Sequence, residues 1–154
     1  MICITHRTFL HFIRKGGKDV AFGGTFTHTL DAKKRLIIPA KFREELGDSF
    51  VICEAPEKAL FAYSNERWDE ISEGITESDD RDTQRLIYST VAYVEFDKQG
   101  RITLPQVLCE YAGLVKEVSV AGVGKRVEIW DRKTYEDRLA MASEKNDGCL
   151  KIHF

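Results

Sequence analysis

The sequence predicts an α+β, β-rich protein built from two pseudo-symmetric units, and three observations carry that prediction. The first is composition. The 154 residues include 43% hydrophobic and 31% charged side chains, with 3 Pro and 11 Gly, a balance that suits an ordinary globular chain and excludes disordered, collagen-like and mucin-like classes. The second is self-similarity: Leu30-Asp31-Ala32-Lys33-Lys34-Arg35-Leu36-Ile37-Ile38-Pro39 aligns with Phe96-Asp97-Lys98-Gln99-Gly100-Arg101-Ile102-Thr103-Leu104-Pro105 at an offset of 66, with Asp, Arg and Pro in register. The third lies at an offset of 67, where residues 58–63 fall on 125–130 and residues 64–69 on 131–136. Two copies of one unit are joined with a single-residue slip.

Each element of the unit has its own cause. An alternating stretch (Phe26, His28, Leu30; then Ala92, Val94, Phe96) leads into an Asp-x-x-x-Arg turn and a short apolar run, the pattern of a hairpin. Gly100 suits the φ > 0 position that closes such a turn, whereas Lys34 in the first copy costs about 1 kcal/mol if its backbone is left-handed. Pro39 and Pro105 mark helix starts, and Gly47 and Gly113 sit just past the ends. Residues 50–53 and 118–121 then open a second hairpin in each copy, returning through residues 59–63 and 126–130. Ser64 and Asp131 are natural N-caps for short amphipathic helices carrying Trp68 and Ile71, or Tyr135 and Leu139. The Gly122-Val123-Gly124 segment reads as a hairpin turn.

The resulting organisation is an extension over residues 1–20, a first unit over 22–72, a linking helix within 73–90, a second unit over 91–139 and a polar, frayed tail over 140–154. Apolar runs are only a few residues long, far short of the roughly 20 that span a bilayer, so no membrane partner is expected. Cys3, Cys53, Cys109 and Cys149 are widely scattered, and no cysteine or histidine pairs stand at metal-ligand spacing. Reduced thiols, no metal and no cofactor are expected.

Net charge is −2, yet its distribution is uneven. Residues 31–43 hold five cations (Lys33, Lys34, Arg35, Lys41, Arg43) against one acid, while residues 66–82 hold eight acids against two arginines. Screening confines each cluster's field to about 10 Å, so a mildly acidic chain can still present a basic face.

At the paired Asp-x-x-x-Arg-(Leu/Ile)-x-(Ile/Leu)-Pro segments the sequence closely resembles the MraZ family. The likeness runs from about Phe22 to Leu139 and takes in Gly24-Thr25-Phe26-Thr27-His28-Thr29-Leu30-Asp31, the Asp-x-x-Gly-Arg signature at Asp97, Gly100 and Arg101, and residues 121–130. It implies two AbrB-like swapped-hairpin units forming a double-split β-barrel with short helices. It also implies a non-enzymatic, sequence-specific DNA-binding regulator, a repressor of the division and cell-wall gene cluster, cytoplasmic and nucleoid-associated. Its partners would be double-stranded DNA with repeated boxes and further copies of itself, in a ring. The alternative of the same fold is an AbrB-like antitoxin or protein-interaction module. Lys34 departs from the signature glycine.

The expected DNA-binding residues are Lys33, Lys34, Arg35, Lys41, Arg43, Lys98 and Arg101, held by the motif-turn residues Asp31, Asp97 and Gly100. Arginine suits this role because its planar fork binds phosphate or the guanine edge bidentately. Asp31 and Asp97, at turn starts, are read as accepting backbone N–H bonds and fixing the neighbouring arginine rather than as a magnesium pair. His28 is read as a packed ring rather than a catalytic base, and Trp68, Trp130 and Tyr135 as core or interface anchors. Residues 1–19 have no counterpart in the family pattern. Lys15-Gly16-Gly17-Lys18 is what a purine-rich ribosome-binding site would spell, so translation is expected to begin at Val20; the alternative is a basic arm adding phosphate contacts.

Overall fold

The computed structural model describes residues 21–78 and 80–146. The expectations for residues 1–20, for Cys3 and Cys149 and for the end of the tail lie outside them. Strands β1 (Phe22–Thr29) and β2 (Arg35–Ile37) precede helix α1 (Ala40–Leu46), the hairpin β3 (Ser49–Ala55) and β4 (Ala59–Ser64), and helices α2 (Asn65–Ser78) and α3 (Arg81–Ser89). The second copy gives β5 (Ala92–Glu95), β6 (Arg101–Thr103), α4 (Gln106–Tyr111), the hairpin β7 (Glu117–Gly124) and β8 (Arg126–Asp131), and α5 (Arg132–Lys145).

The strands form a six-stranded antiparallel sheet in the order β1-β7-β8-β4-β3-β5 and a separate two-stranded ribbon of β2 with β6. The copies exchange strands: β1 pairs with β7 and β5 with β3, while the return strands β4 and β8 meet at the centre. The sheet is open, ending at β1 and β5, where the family likeness implied a double-split β-barrel. Among the described residues the three-residue strands β2 and β6 pair only with each other and leave the two edges unbridged.

One core serves both copies. Leu36, Phe42 and Phe50 from the first pack with Ile102, Leu108 and Ile129 from the second in a single cluster. On the sheet's other face, Trp68 of α2 packs on Val51 and Tyr63. Pro39 and Pro105 sit at the N-caps of α1 and α4, Gly47 ends α1 with φ 82°, and Gly113 follows α4 with φ 63°. The Ser64 hydroxyl accepts the Arg67 backbone N–H at 3.3 Å, and Asp131 accepts that of Thr134 at 3.0 Å, as their cap positions require.

Residues 73–90 hold the end of α2 and all of α3, which the Asp80 carboxylate starts by accepting the N–H groups of Asp82 and Thr83. Three features of the second copy differ from expectation. Helix α5 continues through Lys145, past the frayed end expected near Met141. It is not amphipathic in the expected sense either: no residue of it is buried, and Leu139 is exposed. Finally, Gly122 and Val123 belong to β7, and the chain reverses at Gly124, φ 63°, and Lys125. Gly122 serves close approach instead, since a Cβ there would stand 2.5 Å from the Gly23 nitrogen of β1.

Candidate nucleic-acid interface

The ribbon joins the two motif segments about a pseudo-twofold axis. Arg35 lies opposite Thr103, Leu36 opposite Ile102 and Ile37 opposite Arg101. Each end is closed by the other copy's turn: the Ile38 N–H donates to the Gly100 carbonyl at 3.2 Å, and the Leu104 N–H to the Lys34 carbonyl at 2.9 Å. Leu36 and Ile102 point inward and are fully buried, so alternation turns Arg35, Ile37, Arg101 and Thr103 outward.

The two turns repeat each other atom for atom. Asp31 Oδ1 accepts the backbone N–H groups of Lys33 and Arg35, both at 2.9 Å, and its Oδ2 accepts Arg35 Nε at 2.6 Å. Asp97 Oδ1 accepts those of Gln99 and Arg101, again at 2.9 Å, and its Oδ2 accepts Arg101 Nε at 2.7 Å. The N–H groups of Lys34 and Gly100 donate to the Asp31 and Asp97 carbonyls, each at 3.0 Å, with φ of 59° and 74°. Lys34 therefore adopts the left-handed backbone, as Gly100 does. Both aspartates are held below the ordinary carboxylate value, chiefly by the backbone N–H of the following arginine, which outweighs the opposing effect of burial, with the arginine side chain adding to the lowering. With Nε engaged, each guanidinium keeps its Nη1/Nη2 edge for an external acceptor.

The remaining predicted cations do not gather as the sequence suggested. Lys33 is exposed on the first turn with Lys34 half-buried beside it, and Lys98 is exposed on the second. Arg43, counted with the first turn, lies on the second: a Cβ built on Gly100 would stand 2.6 Å from the Arg43 Cζ. Lys41 joins neither turn, because its Nζ donates to the Gly23 carbonyl of β1 at 3.0 Å. Two residues apart on a helix, Lys41 and Arg43 point to opposite sides, and β2–β6 pairing delivers α1 to the other copy's turn. Beyond its Asp–Arg pair, each turn carries two cations, Lys33 with Lys34 and Lys98 with Arg43.

Elsewhere, buried Glu128 accepts from Arg126 Nε at 2.8 Å and from Trp130 Nε1 at 2.9 Å, and the Arg126 guanidinium lies 4.4 Å over the Phe61 ring. All the donors here are the chain's own, so this is packing rather than chemistry. Trp68 and Trp130 are buried, and the Tyr135 ring packs on Trp130. His28 is half-buried with its Nε2 unpartnered among the described residues. Sequence reasoning missed Ile37 and Thr103 as members of the outward face; the signal was their alternation with Leu36 and Ile102.

A family model described as "MraZ protein, putative antitoxin-like" matches residues 21–90 and again residues 87–147. The chain belongs to the MraZ family. MraZ is a regulatory, antitoxin-like family and not a family of enzymes. Its double match falls on the two sequence copies whose strands interleave in this MraZ chain. Among the described residues no group of three or more His, Cys, Asp or Glu is placed to hold a metal ion, and no helix is long and apolar enough to cross a membrane.

Proposed function

We propose that this MraZ chain is a sequence-specific, DNA-binding transcriptional regulator, a repressor of the division and cell-wall gene cluster acting in the cytoplasm at the nucleoid. One observation carries the reading: two guanidinium groups, each held at Nε by its own turn aspartate, stand on one outward ribbon about a pseudo-twofold axis. A duplex offers regularly spaced phosphates and base edges, and paired, pre-oriented cations suit that target. Lys33, Lys34, Lys98 and Arg43 add charge around the pair.

The test is a potassium chloride titration of binding to the chain's own upstream region. If about four cations per chain meet phosphates, the log–log slope is roughly −0.9 per contact and multiplies with each engaged subunit. A slope near zero removes the reading. The reading also includes a homo-oligomer, a ring in which several basic faces engage repeated boxes with avidity. Among the described residues the outer edges of β1 and β5 pair with no further strand, which supports it. Light scattering giving 17.6 kDa at micromolar concentration overturns that part. The family's antitoxin-like description favours a second reading, an AbrB-like antitoxin or protein-interaction module, and a mobility shift with the upstream duplex separates the two.

A further inference from the structure

The ribbon's outward face carries two side chains that charge alone gives no role. Ile37 is 43% exposed although its neighbours Leu36 and Ile38 are fully buried, and Thr103 is exposed opposite Arg35. We propose that Ile37 and Thr103 are specificity-determining residues that read base edges in the major groove of duplex DNA. Because they differ, the two ends of the pseudo-twofold footprint prefer different base pairs. This inference rests on the DNA-binding reading above and deepens it.

The geometry points to this in three steps. A two-stranded ribbon, its strands about 4.8 Å apart, fits a major groove about 12 Å wide, and such ribbons are a known means of reading it. Cross-strand pairing then sets Ile37 beside Arg101 and Thr103 beside Arg35, so each held guanidinium has one short, β-branched neighbour on the same face. The chemistry differs between the ends: an apolar branch contacts the thymine methyl, whereas a hydroxyl donates to or accepts from a base edge. The ribbon and its two turns carry six cations (Arg35, Arg101, Lys33, Lys34, Lys98, Arg43) against the paired Asp31 and Asp97, an excess that matches a polyanion rather than an apolar protein groove.

The experiment selects from a duplex library with a randomised central segment, using the full chain and its Ile37→Thr, Thr103→Ile and Thr103→Val variants. Affinity for the unselected pool and its salt slope are measured alongside. Ile37→Thr, which makes the two ends alike, should change base preference at one position and weaken binding to the wild-type motif about tenfold, leaving pool affinity within about twofold. Thr103→Ile should do the same at a different position. Thr103→Val, nearly isosteric and lacking only the hydroxyl, should lose preference at that second position. Selection of the wild-type motif by all three variants would overturn the inference, as would a parallel fall in pool and motif affinity. If the wild-type chain binds no duplex, the DNA reading itself falls and this inference falls with it.

Discussion

Arg43 and Gly100 share one space: the guanidinium from the first copy's helix fills the position that a side chain on the second copy's turn would occupy. The pseudo-symmetric site is built the other way round. There the turn supplies the cation, Lys34, and the helix position equivalent to Arg43 is the buried Cys109; the two line one small cavity. Each turn thus receives a single cation above it, from the helix at one end and from the turn at the other. Gly100 is required twice, for its φ of 74° and for the room it leaves Arg43.

Gly100→Ala should therefore cost more than backbone strain alone. A left-handed Ala costs about 1 kcal/mol, and displacing the guanidinium adds to that. Adding Arg43→Ala removes the collision but leaves the strain, so the double variant should be more stable than the sum of the two single effects predicts. Urea denaturation of the two singles and the double measures that coupling, and strict additivity would contradict the shared-space description.

Lys34→Gly is expected to act in the opposite direction on stability. It relieves a left-handed lysine with φ 59°, for a gain of up to about 1 kcal/mol, and removes a cation from the first turn. Melting temperature should rise while affinity for DNA falls. A fall in both would mean that Lys34 contributes packing that outweighs its backbone cost.

Arg35→Ala and Arg101→Ala should each weaken operator binding by about 1–3 kcal/mol with little loss of fold, since both half-buried side chains face out from the ribbon and each turn aspartate keeps its backbone N–H bonds. Leu36→Ala, one residue along and fully buried, should instead destabilise by about 2–5 kcal/mol. Denaturation and binding curves on these three variants separate the outward from the inward face of the ribbon. Unchanged affinity in both arginine variants and in their double would assign the motif to structure alone.

Much of this was legible in the sequence because the repeat is in register. Asp31 and Asp97, Pro39 and Pro105, and Gly47 and Gly113 each announce a local conformation whose cause is short-range, so turns and caps could be placed. What pairs with what could not be placed, since exchange of β1 and β5 between the copies depends on contacts far apart in the chain. Arg43 is the case in point. It is near Lys34 in sequence and against Gly100 in space. Nothing local to Lys41 reveals the Gly23 carbonyl that it meets.

Acid should destabilise the chain in two separable steps, and the sign follows from the direction of each shift. Burial holds His28 below its ordinary 6.5, and Nε2 has no partner among the described residues. The unfolded chain therefore takes up this proton first, and stability falls as pH drops through 6.5, levelling off below the lowered folded value. Asp31 and Asp97 lie below their ordinary 3.8 because the turns donate to their carboxylates. Their contribution is intact above the unfolded value and is lost as pH falls through the folded one, so this second step appears only in stronger acid. His28→Val, which installs the residue that the second copy has at Val94, should abolish the first step, leave the second and raise stability near neutral pH by about 1 kcal/mol by removing an unpaired polar atom. Asp31→Asn with Asp97→Asn should do the reverse, flattening the low-pH step while lowering stability at pH 7. Urea midpoints measured from pH 7.5 down to strong acid on the three proteins resolve both. A first step that persists in His28→Val would place that proton on another group.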